Sequence, residues 1–254
     1  MSIFLKTLAS MGIGNAKVDT RLQKSVFRQG ELLCGEVFIQ GGQTEQTIDE
    51  IYLYLMMDYQ HDDKRQKYEV EHFQLMESIH LMPHETKVVP FEFILPLDTP
   101  ISTRFVRLYL KTGLDIKMAL NPTDEDGIEI LPQRMIDQTL NALELLSFQL
   151  KSVDLQFDAY YSRHPFVQSY YLIPTGFVYE KKLDHISVIF HMHEEEVDMI
   201  MAIDRKANNL VSSMEEALNL DERFVRFTLY RSDFDQDLEA IAHQLHEVIS
   251  PYLD

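Results

Sequence analysis

Apolar and polar residues alternate along much of the first half of the chain. Between Thr86 and Pro100, Phe91, Phe93 and Leu95 alternate with Glu92, Ile94 and Pro96. Successive strand side chains point to opposite faces, so this spacing predicts a strand that buries one aromatic face. Proline cannot donate to a central ladder, which predicts that Pro90 starts the strand and Pro96 stops it. Val18, Thr20 and Leu22 alternate with charged neighbours, and Gly30-Glu31 turns into a run over residues 33–40 that Gly41-Gly42 ends. Ile51, Leu53 and Leu55 share one face of residues 48–57, and residues 67–77 and 104–112 continue the pattern. Short strands separated by turns, with no helix between them, predict an antiparallel sandwich in which each apolar face meets a second sheet.

The period changes after Pro132. Met135, Ile136, Leu140, Leu143 and Leu146 recur near helical spacing. The predicted organisation is therefore a β-sandwich over residues 1–131, a connecting helix over 132–147, and a second, sandwich-like domain with a terminal helix over 148–254. In that second half, strands are predicted at 148–157 and 224–231, with a hairpin of 185–195 and 197–204. A loop falls at Arg163-His164-Pro165. Ser213-Met214-Glu215-Glu216 has capping-box spacing and predicts a short helix ending near Asn219. Ser232-Asp233-Phe234-Asp235 is read as the cap of a last helix, on which Leu238, Ile241, Leu245, Val248 and Tyr252 form one stripe. The stripe is expected to pack on its own domain. If it does not, Leu238, Ile241, Leu245 and Val248 are the candidates for a partner-binding face.

Composition narrows the function classes. The 254 residues are 45% hydrophobic, enough for a real core, but carry 41 Asp and Glu against 23 Lys and Arg, a net charge of −18. Such a surface repels phosphate backbones and anionic headgroups, so neither nucleic-acid binding nor membrane contact is expected. Cytoplasm is the expected location. Cys34 is the single cysteine, which rules out an internal disulfide; it lies in a strand pattern and is expected to be a small core residue. The apolar opening, Met1 to Gly12, lacks a basic start and a cleavage site and is expected to be a short packed helix, with a membrane-surface anchor over residues 1–13 as the rival reading.

Motifs for chemistry are sparse. There is no Gly-x-Ser-x-Gly elbow and no Walker loop, and Gly12-x-Gly14 lacks the third glycine of a dinucleotide site. Residues 121–127 are acidic but out of phase for an EF-hand, and Asn, Pro, Asp and Gly predict a solvated turn there. His191 and His193 lie two apart, as a zinc-binding pair on a strand would. Ile186, Val188, Phe190 and Met192 mark the opposite face as the core side. The histidines are thus expected on the outer side of an amphipathic strand, with no third ligand in view. No catalytic residue, cofactor or metal is assigned; a metal-dependent enzyme built on His191 and His193 is the rival.

Gly35-Glu36-Val37, Ile48 with Ile51-Tyr52-Leu53, and Pro90-Phe91-Glu92-Phe93-Ile94-Leu95-Pro96 resemble an arrestin-type amino-terminal domain. Over its whole length the chain resembles the bacterial sporulation-control protein family, which is itself arrestin-like. The resemblance rests on Gly14-Asn15-Ala16-Lys17-Val18-Asp19-Thr20, Ile39-Gln40-Gly41-Gly42, Thr112-Gly113-Leu114-Asp115-Ile116, Ile203-Asp204-Arg205 and Leu220-Asp221-Glu222. Two places depart from the family pattern: Gln29-Gly30-Glu31 stands where Pro-Gly-Glu is common, and Asn208-Asn209 where glycines are usual. The resemblance implies two arrestin-like β-sandwiches and a regulatory, non-enzymatic role, and the chain is expected to exercise that role by binding a protein partner. It leaves partner identity and oligomeric state open.

Overall fold

The computed structural model describes residues 16–61, 64–116, 121–157, 162–206 and 223–253. The chain divides into two compact units between Leu131 and Pro132. The expected helices over residues 1–13 and 213–219, and the turn at Asn208-Asn209, lie outside the described residues.

The first unit is a two-sheet sandwich. Strands β1 (Lys17–Leu22), β3 (Leu32–Gln40) and β6 (Thr86–Ile94) form a three-stranded sheet in the order β1-β3-β6. Strands β2 (Val26–Arg28), β4 (Gln46–His61), β5 (Lys64–Leu81), β7 (Val106–Ile116) and β8 (Thr123–Leu131) form the second, in the order β2-β8-β7-β4-β5. All pairs are antiparallel except the short β2–β8 pair, Val26↔Glu129 to Arg28↔Leu131. The period-two pattern aims Leu33, Val37 and Ile39 of β3 and Val89 and Phe91 of β6 inward, opposite Ile51, Leu53, Leu55 and Met57 of β4, and all are buried. Burying one such side chain contributes about 1.5–3 kcal/mol.

Three expectations need correction here. Pro90 lies inside β6, opposite Glu36, and does not start the strand. β6 is a sheet edge, where a missing N–H is tolerated because only one side needs donors. Cys34 is half-buried on the outer face, opposite Glu92, because alternation gives the inward positions to Leu33 and Gly35. Residues 123–127 are not a solvated turn but the start of β8, paired with β7 from Gly113↔Thr123 to Leu108↔Ile128.

The second unit holds one antiparallel sheet among its described residues. Strands β9 (Phe148–Gln156), β10 (Val167–Pro174), β11 (Leu183–Met192), β12 (Glu196–Arg205) and β13 (Arg223–Tyr230) run in the order β13-β12-β11-β10-β9. Helix α1 (Arg134–Leu145) begins where the Gln133 side chain accepts the Met135 N–H, two residues past the Pro132 expected in its first turn. A four-residue helix α2 (Phe177–Glu180) follows β10. The last helix, α3 (Leu238–Ile249), is capped not by the 232–235 segment but by Asp237, whose carboxylate accepts the Ala240 N–H at 2.9 Å. Arg231–Asp233 is instead a separate 3₁₀ turn. One sheet face (Tyr170, Leu172, Ile186, Val188, Met199, Met201, Leu229) is buried, and α1 packs against both β9 and α3. Where a second sheet was expected, the described residues show a helical layer. An apolar helical stripe covers a sheet face as effectively as two strands do.

Candidate functional site

The final helix is the first candidate, and its geometry is decisive. Ile241, Leu245 and Ile249 are buried within the second unit, and Leu238 and Val248 are half-buried. Tyr179 on α2 meets His246 Nδ1 at 2.6 Å. The stripe is therefore already occupied and leaves no large apolar face for a partner.

The opposite face of the second unit's sheet is mixed, with polar groups on either side of the Ile189–Ile200 pair. The β11–β12 pairing runs to Met192↔Val197 and continues as His193 N–H donating to Glu196 C=O at 2.9 Å. The connection is then the two residues Glu194 and Glu195. This register places His191 across from Asp198, and His193 across from Glu196, all four on one face. His193 Nε2 stands 3.5 Å from Asp198 Oδ2. Ligating atoms of His193, Glu196 and Asp198 lie within 4.8 Å of one another. On β13, the Thr228 hydroxyl donates to Asp198 Oδ1 at 2.5 Å. Burial pushes the His191 imidazole below its ordinary value, and the Asp198 carboxylate opposes that shift. Sequence reasoning found both histidines and missed both carboxylates. The expected hairpin break at residue 196 shifted the register; counting a two-residue turn at 194–195 pairs 193 with 196 and 191 with 198.

A second His–carboxylate group lies further along the same strands. His185 Nδ1 is 3.2 Å from Asp204 Oδ2 and 3.4 Å from Asp184 Oδ2, with the Tyr171 ring 4.6 Å from the imidazole.

β13 forms one edge of this sheet. Its open face carries Phe224, 70% exposed, and Tyr230, 56% exposed. The sequence of β13, Arg-Phe-Val-Arg-Phe-Thr-Leu-Tyr, contains no proline and no carboxylate. The edges of the first unit are better guarded: Pro90 interrupts β6, and charged residues are spread along β5. The β13 sequence was read as a strand, but its place at an edge is a topological fact that no local pattern carries.

In the first unit, the segment misread as a turn forms a polar staple. Asp124 and Asp126 share the inward face of β8 with Ile128 and Ile130. Asp124 Oδ2 accepts the Thr20 N–H of β1 at 2.7 Å, and the Thr20 and Thr112 hydroxyls meet at 2.5 Å. Asp126 Oδ2 is shielded and has no hydrogen-bond donor among the described residues. Burial, then the neighbouring Asp124 carboxylate, push the Asp126 carboxyl up to about 6 from an ordinary 3.8. The folded chain thus holds a proton between these values that the unfolded chain has released. Stability from this group is present at pH 4, falls as pH rises towards 6, and stays lost above it. Asp126→Asn is expected to stabilise the protein at pH 7.5 by on the order of 1 kcal/mol, after allowing for solvent screening of a partly exposed group, and to have little effect at pH 4. Denaturant titrations at the two pH values check this; equal effects at both refute it.

A groove of about 490 Å³ on the first unit is lined by Tyr52, Tyr54, Glu69, Lys111 and Asp115 among others. Its charges are of mixed sign and select no ligand class. Among the described residues, no helix is long and apolar enough to cross a membrane. The proposed anchor over residues 1–13 lies outside them.

Comparison with known proteins gives a consistent result. The family described as SpoOM protein matches residues 4–207. The sporulation-control protein spo0M of Bacillus subtilis (strain 168) is 36% identical over 259 residues, covering 100% of both chains. The crystal structure of Spo0M, sporulation control protein, from Bacillus subtilis superposes with a TM-score of 0.81 at 33% identity, covering 94% of this chain and 100% of that one. The mainly β, arrestin-like fold is shared with it.

Proposed function

The chain belongs to the SpoOM protein family, and on that premise we propose that it is a regulatory protein of sporulation control that acts by binding another protein and not by catalysis. The observation that carries the binding mode is the β13 edge: exposed aromatics on an edge strand that contains no proline and no carboxylate. An extended segment of a partner adds to such an edge through main-chain hydrogen bonds, while Phe224 and Tyr230 supply side-chain anchoring. Arg226, exposed on the same face as Phe224 and Tyr230, favours an acidic segment, against the −18 background of the whole chain.

The test is quantitative co-purification from native cells with wild type and a Phe224→Glu/Tyr230→Glu double variant. Both positions are exposed, so the stability is expected to stay within the range of ordinary surface changes, about ±0.5 kcal/mol per position. The co-purifying partner is expected to drop by tenfold or more, the loss that about 1.4 kcal/mol of binding energy gives. An unchanged set of bound proteins, with the fold intact, removes β13 as the docking edge.

A further inference from the structure

We propose that the end of the β11–β12 hairpin binds one divalent transition-metal ion of the zinc class, through His193, Glu196 and Asp198, with His191 as the adjoining fourth position. This goes beyond the partner-binding reading and stands or falls independently of it. The two-residue connection at Glu194-Glu195 sets a square of cross-strand neighbours, His193 beside Glu196 and His191 beside Asp198, on one face of a twisted pair. The backbone bond from His193 to Glu196 fixes the near end of that square. Tetrahedral zinc, with ligand distances near 2.0–2.2 Å, holds its donors about 3.3–3.6 Å apart. His193 Nε2 and Asp198 Oδ2 already stand at 3.5 Å. The third donor, from Glu196, is within 4.8 Å of both and sits on a flexible side chain.

The support around the ligands points the same way. Thr228 donates to Asp198 Oδ1, which occupies that oxygen and leaves Oδ2 turned to the imidazole. A hydrogen bond from outside the ligand set that orients a carboxylate is the usual outer-shell arrangement of metal sites. An imidazole-plus-carboxylate set selects zinc-class ions over magnesium and calcium, which prefer oxygen donors throughout. Each group offers one imidazole and two carboxylates, and only the His193 group has a second histidine, His191, two positions away on the same strand face.

The experiment is calorimetric titration of the chelator-stripped full chain with Zn²⁺, paired with the visible absorption of the Co²⁺-substituted protein. One tight equivalent is expected, with the Co²⁺ spectrum of a tetrahedral nitrogen–oxygen site. His193→Gln and Asp198→Asn should each weaken binding by at least tenfold, and Thr228→Val by tenfold to a hundredfold, as outer-shell losses do. His185→Gln should leave affinity and spectrum unchanged. Should His193→Gln fail to fold, Glu196→Gln gives the same reading without altering the ring. Several weak equivalents insensitive to these variants would show diffuse carboxylate binding and overturn the site. So would retention of the tight equivalent in His193→Gln with loss in His185→Gln, or an equal affinity for Mg²⁺.

Discussion

Leu245→Asp is expected to abolish the native packing of the second unit. Leu245 is fully buried on α3, one turn from Ile241 and Ile249, which are buried with it. Ala142 and Leu143, on the α1 helix that α3 packs against, are also fully buried. An aspartate there must lose its hydration without an opposite charge to meet, so it folds neutral or not at all. The loss should exceed about 4 kcal/mol, the range reserved for unpaired buried charges and cavities. For a chain of this size that lowers the melting temperature by about 10–15 °C. His243→Asp on the same helix makes the control, because that side chain is three-quarters exposed and an exposed change stays near ±0.5 kcal/mol. Thermal unfolding followed by circular dichroism separates the two. A Leu245→Asp protein that melts with wild type would mean that the stripe faces outward, and Leu238, Ile241, Leu245 and Val248 would return as a docking face.

What could be read in the sequence depended on whether a residue's role is set by its neighbours in the chain or by distant ones. The α3 stripe and the alternation in β3 and β6 are local patterns, and the burial of Ile241, Leu33 and Phe91 follows them. β10 escaped because Tyr170, Leu172 and Pro174 are buried while Ser169, on the other face, is buried too. In sequence, Tyr170 to Ile173 form a continuous apolar run, which hides the alternation that the burial shows. β8 escaped for the opposite reason: Asp124, Asp126 and Gly127 have turn composition, the ladder that makes Asp124 a strand residue is with Thr112 of β7, and its carboxylate is held by Thr20, 104 positions away. The α3 cap was displaced because several Ser and Asp residues precede the helix and only the fold selects Asp237. At the candidate site the histidines were visible from spacing alone. Their carboxylate partners needed the hairpin register, and one residue of register moves every side chain to the other face.

Phe91 and Phe93 illustrate the same limit in energetic terms, and their truncations are expected to differ. Spacing puts both rings on one face and on its own predicts equal losses of about 3–5 kcal/mol. The structure separates them. Phe91 is buried, opposite Gly35, and a Cβ added at that glycine would lie 2.6 Å from the Phe91 ring. The ring thus fills space that Gly35 leaves open, and Phe91→Ala would create a cavity that backbone on both sides prevents from collapsing. The full 3–5 kcal/mol is expected. Phe93 is half-buried and stacks on Phe73 of β5 with centroids 3.7 Å apart. Its truncation sacrifices part of the apolar area and its ring contacts with Phe73 and Phe91, and opens towards solvent, where no closed cavity remains. A loss of about 1–2 kcal/mol follows. Denaturant titration of the two alanine variants measures both. A loss below about 1 kcal/mol for Phe91→Ala would refute the buried sandwich face, since core truncations cost more. Equal large losses would show that Phe93 is held in a closed core, with the Phe73 stack as its inner wall.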